Sequence, residues 1–269
     1  MSALDAKQLN DEGRKLWNQK AKFWDELHGD DGNSFHRTLI SPSVERLLNL
    51  QSGERALDIG CGNGVLARRL AELGGQVTAC DFSSELIALA KDRGQSTGTP
   101  ITYHVIDATD EKSLLELGKK QYNAITCTMA IMDMPTLSPM FRAIRQLLTD
   151  NGRFVFSTMH PAFNSNNPIF VQERGDSNGV LYTQYAVKIT TYIDQPPTKG
   201  AGAPNEPNPH YYYHRPLHEL LGLAFEAGLV LDGLEEPAFP KDSSTTSDRL
   251  TWEKLWQIPP VLTGRFRIG

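Results

Sequence analysis

Ala56-Leu57-Asp58-Ile59-Gly60-Cys61-Gly62-Asn63-Gly64 reads as a short apolar strand running into a glycine-rich turn. Glycine is needed at such a turn where the backbone takes positive φ, or where a side chain would hold it away from a ligand. Outward from this point strands and helices alternate in strict order: strand 55–59, helix 65–73, strand 76–80, helix 84–91 and strand 101–106. The alternation continues through a strand at 124–128, a helix at 137–148, a turn at Asp150-Asn151-Gly152 and a strand at 153–158. Strands separated by helices imply right-handed crossovers and a parallel sheet covered on both faces. A doubly wound, Rossmann-like α/β fold is predicted.

Before the first strand, Leu16, Phe23, Trp24 and Leu27 recur at helical spacing and predict an amphipathic helix over 12–27. A second helix starts near Pro42 with Ser41 as its cap and carries Val44, Leu47 and Leu48 on one face. After the last of the alternating strands, residues 161–216 are rich in Pro, Asn, Gly and aromatics, with one alternating stretch at 180–193 that predicts a hairpin. A segment of that length between regular elements is usually functional. A helix at 217–227, a strand at 230–234, a polar loop at 241–248 and an apolar segment at 261–268 complete the chain.

A Gly-x-Gly-x-Gly turn is by itself shared by dinucleotide-binding folds and by purely structural turns. Two acids narrow the choice. Seventeen residues beyond Gly64 the second strand ends in Asp81-Phe82, a carboxylate placed to accept from a ribose diol. The third strand ends in Asp107-Ala108, a second carboxylate at the sheet edge where such folds bind ligands.

On these residues the chain resembles the class I S-adenosylmethionine-dependent methyltransferases. Leu57 to Gly64 looks like their first motif, Asp81 like their ribose acid, and Asp107-Ala108 like their adenine-contacting pair. The resemblance implies a seven-stranded, mostly parallel sheet ending in an antiparallel hairpin, and S-adenosyl-L-methionine as cofactor. It also implies that Gly60, Cys61, Gly62, Asp81, Phe82, Asp107, Ala108 and Met129 line the cofactor site, Met129 at the methionine end. Asp58 has two open roles, setting the turn through backbone amides or standing near the cofactor's amino group. The expected organisation is a helical lid at 1–40 and a methyltransferase domain at 41–269 with an inserted cap at about 161–216. The aromatic Asp/Asn-Pro-Pro-Tyr/Phe signature of amino-directed relatives is missing from 128–135, where Thr-Met-Ala-Ile-Met-Asp-Met-Pro stands.

On the acceptor side, His160 follows the fifth strand, where its imidazole is placed either to take a proton from the acceptor or to be held by the turn before Pro161. Tyr211, Tyr213 and Arg215 alternate, so Tyr213 and Arg215 either line a substrate pocket or pack a sheet. Trp17 is a candidate substrate-binding residue that either closes over the cofactor or covers the sheet, and Trp24 is expected in packing. His210, His214 and His218 share a spacing of four, but Pro209 and Pro216 argue against a helix there, and no metal site is predicted.

The formal net charge of -5 and the scatter of Lys and Arg give no basic stripe, which excludes nucleic acid as a partner. The absence of a signal-like start or an apolar run of membrane-spanning length predicts a cytoplasmic protein with no membrane partner. Cys61, Cys80 and Cys127 each fall in or at the end of an apolar run, as reduced buried thiols do. The expected partner is a small-molecule substrate, and the expected state a monomer or homodimer. Two alternatives from other classes share the turn: a non-catalytic S-adenosylmethionine-binding protein and a nicotinamide oxidoreductase.

Overall fold

A computed structural model describes residues 3–98, 100–243 and 250–269. Seven strands form one sheet: β1 (Arg55–Ile59), β2 (Gln76–Asp81), β3 (Ile101–Val105), β4 (Tyr122–Thr128), β5 (Leu148–Met159), and, after the insertion's own strands, β10 (Leu229–Glu235) and β11 (Val261–Ile268). Their order is β10-β11-β5-β4-β1-β2-β3, with β11 antiparallel to both neighbours and the other pairings parallel. The chain winds outward from β1 to β3, then returns to β4 on the other side of β1. That reversal opens a crevice beyond the carboxyl end of β1.

The sheet is buried on both faces, and alternate residues of each central strand feed two cores. Leu57, Ile125, Phe154 and Phe156 pack with Phe141, Ile144 and Leu220 on one side. Ala56, Ala124 and Val155 pack with Val44, Leu66 and Leu70 on the other. The first side is covered by α6 (Ser138–Leu147) and α7 (Leu217–Glu226). In α6 Phe141, Ala143, Ile144 and Leu147 are buried while Arg142 and Arg145 point outward. The second side is covered by α2 (Ser41–Leu48) and α3 (Val65–Glu72). Helix α4 (Ser84–Thr97) follows β2, and a short α5 (Glu111–Leu115), capped by the Asp110 carboxylate, follows β3.

Several boundaries differ from those read in the sequence. The first helix, α1, spans Ala3–His28, because its opening turns find partners at the end of β3. Ser41 is not a cap: the chain enters α2 directly from a π-helical turn at His36–Ile40. Asp150-Asn151-Gly152 lies within the opening of β5 rather than before it. The hairpin does not lie within 180–193; it pairs β6 (Ile169–Ser177) with β7 (Val180–Lys188), turning at Asn178 (φ 55°) and Gly179 (φ 78°). Gln172-Glu173-Arg174 hid the first of these strands, which is largely solvent-exposed and carries no apolar face. Two short strands, β8 (Thr198–Gly200) and β9 (His210–Tyr212), pair in the same insertion. The loop expected at 241–248 lies partly outside the described residues.

One buried arginine ties the lower edge of this sheet together. Arg153 in β5 donates to both carboxylate oxygens of Glu54 at 2.9 and 2.6 Å, to the carbonyls of Asn49 and Asn123, and to that of Leu48. Removing it strands a shielded carboxylate and three carbonyls. Arg153→Met is expected to lower the unfolding free energy by about 3 kcal/mol, read as a fall in the urea midpoint at unchanged slope.

Candidate functional site

The glycine turn is pinned to the next strand. The amides of Gly60 and Cys61 both donate to the Cys80 carbonyl, at 2.8 and 3.0 Å, and the Gly62 amide donates to Asp81 Oδ2 at 3.0 Å. Gly60 has φ 68° and Gly64 φ 82°, in the left-handed region that penalises a side chain. A Cβ on Gly60 would come within 2.6 Å of the Ala130 Cβ, whereas one on Gly62 would meet nothing within 4 Å. The turn is therefore close-packed behind and open in front.

Three carboxylates gather at the neighbouring strand ends. Asp81 Oδ1 accepts from the Ser83 amide at 2.9 Å. Burial, reinforced by the charges of Asp133 and Asp107, pushes the Asp81 carboxyl up to about 6 despite its two amide bonds. Asp107 accepts from the Thr109 amide and hydroxyl at 2.9 and 2.7 Å, and from Asn10 Nδ2 at 2.5 Å. Asp58 lies deeper. Its Oδ1 accepts from Thr126 Oγ1 at 2.8 Å, its Oδ2 has no hydrogen-bond partner among the described residues, and burial pushes it up to about 7. No turn amide reaches Asp58, so it does not set the turn in the way the sequence left open.

A cleft of about 960 Å³, counting its mouth, opens above these groups. Gly60, Cys61, Gly62, Asp81, Phe82, Asp107, Ala108, Met129 and Trp17 all border it, whereas Asp58 does not. Met129 takes φ 50° and its amide donates to the Ser157 carbonyl at 2.7 Å, which turns the chain inward at the end of β4. Helix α1 forms the roof. Asn10 holds Asp107, Asn18 accepts from Ser83 Oγ at 2.6 Å, and Asp25 accepts from Asn63 Nδ2 at 2.9 Å, so one helix is anchored at the ends of β3, β2 and β1 in turn. Trp24 also borders the cleft rather than only packing, as do His28 and His36. Burial lowers these two imidazoles to about 4 and about 3, which keeps both neutral near pH 7.

The structure does not bring His160, Tyr213 or Arg215 to this cleft. His160 is buried with Nε2 at 2.7 Å from Glu236 Oε1, and its Nδ1 accepts from the Ala162 amide at 3.1 Å. Both ring nitrogens are thus engaged in holding the turn, which removes the basis for a base at this position. Arg215 donates to the carbonyls of Met134 at 2.7 Å and Ile131 at 3.4 Å, and the Tyr213 amide donates to the Met132 carbonyl at 2.7 Å. These two brace the loop after β4 from behind instead of contacting an acceptor. Sequence reasoning missed Asn10, Asp133, Lys20 and Glu206. Asp133 lay inside the stretch flagged after β4, but the partners of Lys20 lie 186 and 190 residues away and leave no local signal.

The fold and this cleft resemble those of the class I S-adenosylmethionine-dependent methyltransferases. Residues 56–152 match the methyltransferase domain family. A ubiquinone biosynthesis O-methyltransferase from Hydrogenovibrio crunogenus is 30% identical over 152 residues, covering 55% of this chain and 61% of that protein. One from Xanthomonas oryzae pv. oryzae is 33% identical over 112 residues, 40% of this chain and 44% of that protein. The chain thus spans between 44% and 61% of the length of these curated relatives. The crystal structure of an S-adenosylmethionine-dependent methyltransferase from Mesorhizobium loti resembles it with TM-score 0.65 at 26% identity, over 84% of this chain and 96% of that one. Residues 56–152 thus carry a methyltransferase domain.

The buried carboxyls make the domain's stability depend on pH. The folded pKa of Asp58 lies above its unfolded value of 3.8, so the acid stabilises the fold fully below that value and less as pH rises through about 7. Asn mimics the protonated acid. Relative to wild type, Asp58→Asn is therefore expected to gain stability between pH 4.5 and pH 8, measured by urea unfolding of the ligand-free protein at both values. A difference that does not change with pH would show that Asp58 is ionised in the fold.

Proposed function

We propose that this chain transfers a methyl group from S-adenosyl-L-methionine to a small-molecule acceptor. The observation that carries the reading is the pair Asp81 and Asp107 at adjacent strand ends, facing one cleft beside an open left-handed turn. Asp81 keeps lone pairs for a ribose diol beyond those that accept the Gly62 and Ser83 amides. Phe82, Asp107 and Ala108 then take the adenine, while Gly60, Cys61, Gly62 and Met129 flank the methionine end. When bound, the cofactor supplies a methyl group activated by a sulfonium.

Electrostatics favour this cofactor over a dinucleotide. Asp81, Asp107 and Asp133 border the cleft, and no Lys or Arg does among the described residues. A sulfonium relieves their repulsion, whereas a pyrophosphate would add to it. The roof formed by α1, with residues 1–40 and the insertion 161–216 as lid and cap, supports an acceptor small enough to lie beneath Trp17 and Trp24. The curated relatives are named as O-methyltransferases, which favours an oxygen acceptor here. The three cysteines are free and buried, as expected of a cytoplasmic protein, and no described helix is long and apolar enough to cross a membrane.

Calorimetric titration with S-adenosylhomocysteine, with NADH in a parallel cell, tests the reading. Binding of the homocysteine compound alone, with a dissociation constant on the order of micromolar, is expected; binding of NADH alone would overturn it. Asp81→Ala is expected to weaken that affinity by about 1 to 3 kcal/mol through loss of charge-assisted bonds to the ribose. An unchanged affinity would assign Asp81 to the turn alone.

A further inference from the structure

Beside the cleft lies a buried charged group to which cofactor binding gives no task. Lys20, whose side chain has no exposed surface, donates from Nζ to Glu206 Oε1 at 2.6 Å and to His210 Nδ1. Glu206 also accepts from Trp24 Nε1 at 2.8 Å and from the Gly202 amide at 2.5 Å. Burial opposes the charge on His210, but the carboxylates of Asp133 and Glu206 outweigh it and raise the imidazole above its ordinary pKa; with Nδ1 turned to Lys20 and Glu206, Nε2 carries a proton. That nitrogen lies 3.5 Å from Asp133 Oδ1, an atom buried without a hydrogen-bond partner among the described residues. The His210 ring packs on Trp17 with centroids 4.8 Å apart. Trp17 and Asp133 both border the cleft, so this network joins an indole wall to a carboxylate.

Burying a lysine, a glutamate and a histidine together is no route to stability, since apolar side chains of similar volume serve a core as well or better. The arrangement instead holds Asp133 at the cleft wall with a charged relay behind it. The acidic lining, free of Lys and Arg among the described residues, disfavours carboxylated or phosphorylated acceptors. A neutral hydroxyl attached to an aromatic ring suits both the indole face and the carboxylate. Such a hydroxyl titrates near 10, as tyrosine does, and must lose its proton as it takes up the methyl group.

The geometry points to Asp133 as the proton acceptor for a neutral aromatic hydroxyl whose ring lies against Trp17, an assignment that rests on the methyltransferase reading above. The acceptor oxygen forms its bond to the methyl carbon as the sulfur–carbon bond breaks. Its proton passes to Asp133, and sulfur leaves as a neutral thioether. The positive charge lost at sulfur is matched by the negative charge lost at Asp133, so the cleft ends the step with the net charge it began with. His210 is a positioning residue that holds Asp133 toward the acceptor.

The test uses the full chain with catechol as the probe, methyl-labelled S-adenosylmethionine for transfer, and calorimetry of catechol into protein saturated with S-adenosylhomocysteine for binding. Wild type is expected to bind catechol and to release its labelled monomethyl ether. Asp133→Asn should keep S-adenosylhomocysteine affinity within about twofold and still bind catechol, yet transfer at least about 100-fold more slowly. Trp17→Ala should weaken catechol binding about fivefold or more, and His210→Gln should lower kcat while KM stays unchanged. Wild type that binds S-adenosylhomocysteine but neither binds nor methylates catechol overturns the aromatic-hydroxyl assignment. Transfer by Asp133→Asn at the wild-type rate overturns its role as proton acceptor. Should Asp133→Asn lose S-adenosylhomocysteine affinity, Asp133→Ser provides the second reading, and the same loss there overturns the assignment by making Asp133 part of the cofactor grip. Failure of wild type to bind S-adenosylhomocysteine at all brings down the underlying methyltransferase reading instead.

Discussion

The amides of Gly60 and Cys61 share one acceptor, the Cys80 carbonyl, and the next amide in the turn, that of Gly62, donates to Asp81. This short ladder makes the end of β1 and the end of β2 one rigid rim. Because Gly60 is backed by Ala130, the rim is also keyed to the chain leaving β4. Three strand ends are thereby held around one hollow, and the carboxylates of Asp81, Asp107 and Asp133 face into it. Their mutual repulsion, added to burial, is the reason Asp81 holds its proton more tightly than an ordinary carboxyl. A rim with this charge is complementary to a cation.

Helix α1 owes its position to the same rim. At 100° per residue, Asn10, Trp17, Trp24 and His28 fall within about 40° of one another, and all four border the cleft. Asn18 and Asp25 lie toward one flank and hold Ser83 and Asn63, while Lys20 lies toward the other and holds Glu206 and His210. One side of the helix is thus fastened to the sheet and the other to the insertion, with the aromatic strip between them over the cleft. Glu206 and His210 of the insertion serve this clasp, whereas its β6–β7 hairpin stands out in solvent.

Behind the cleft, polar side chains do structural work that resembles functional patterning in the sequence. Arg215 is an arginine beside aromatic residues, yet its donors reach the carbonyls of Ile131 and Met134 and shape the loop that carries Asp133. His160 follows a strand at the carboxyl edge, yet Glu236 and the Ala162 amide occupy its nitrogens. Both residues support the site through the backbone they brace, in keeping with the rule that buried donors and acceptors are paired.

The sequence by itself determined the strand and helix alternation, the left-handed turn at Gly60 to Gly64 and the acids Asp81 and Asp107. Each of these is set by local periodicity, by backbone sterics or by position at a strand end, and needs no knowledge of distant neighbours. Only the tertiary structure decided which face of α1 meets the cleft, that Trp24 lines it, that His160 and Arg215 turn away, and that Lys20, Glu206, His210 and Asp133 form one group. Those outcomes depend on which donor finds which acceptor across separations of up to 190 residues. A side chain's local pattern does not reveal that choice, because burial and partner geometry together decide whether a titratable group holds the chain in place or faces the cleft.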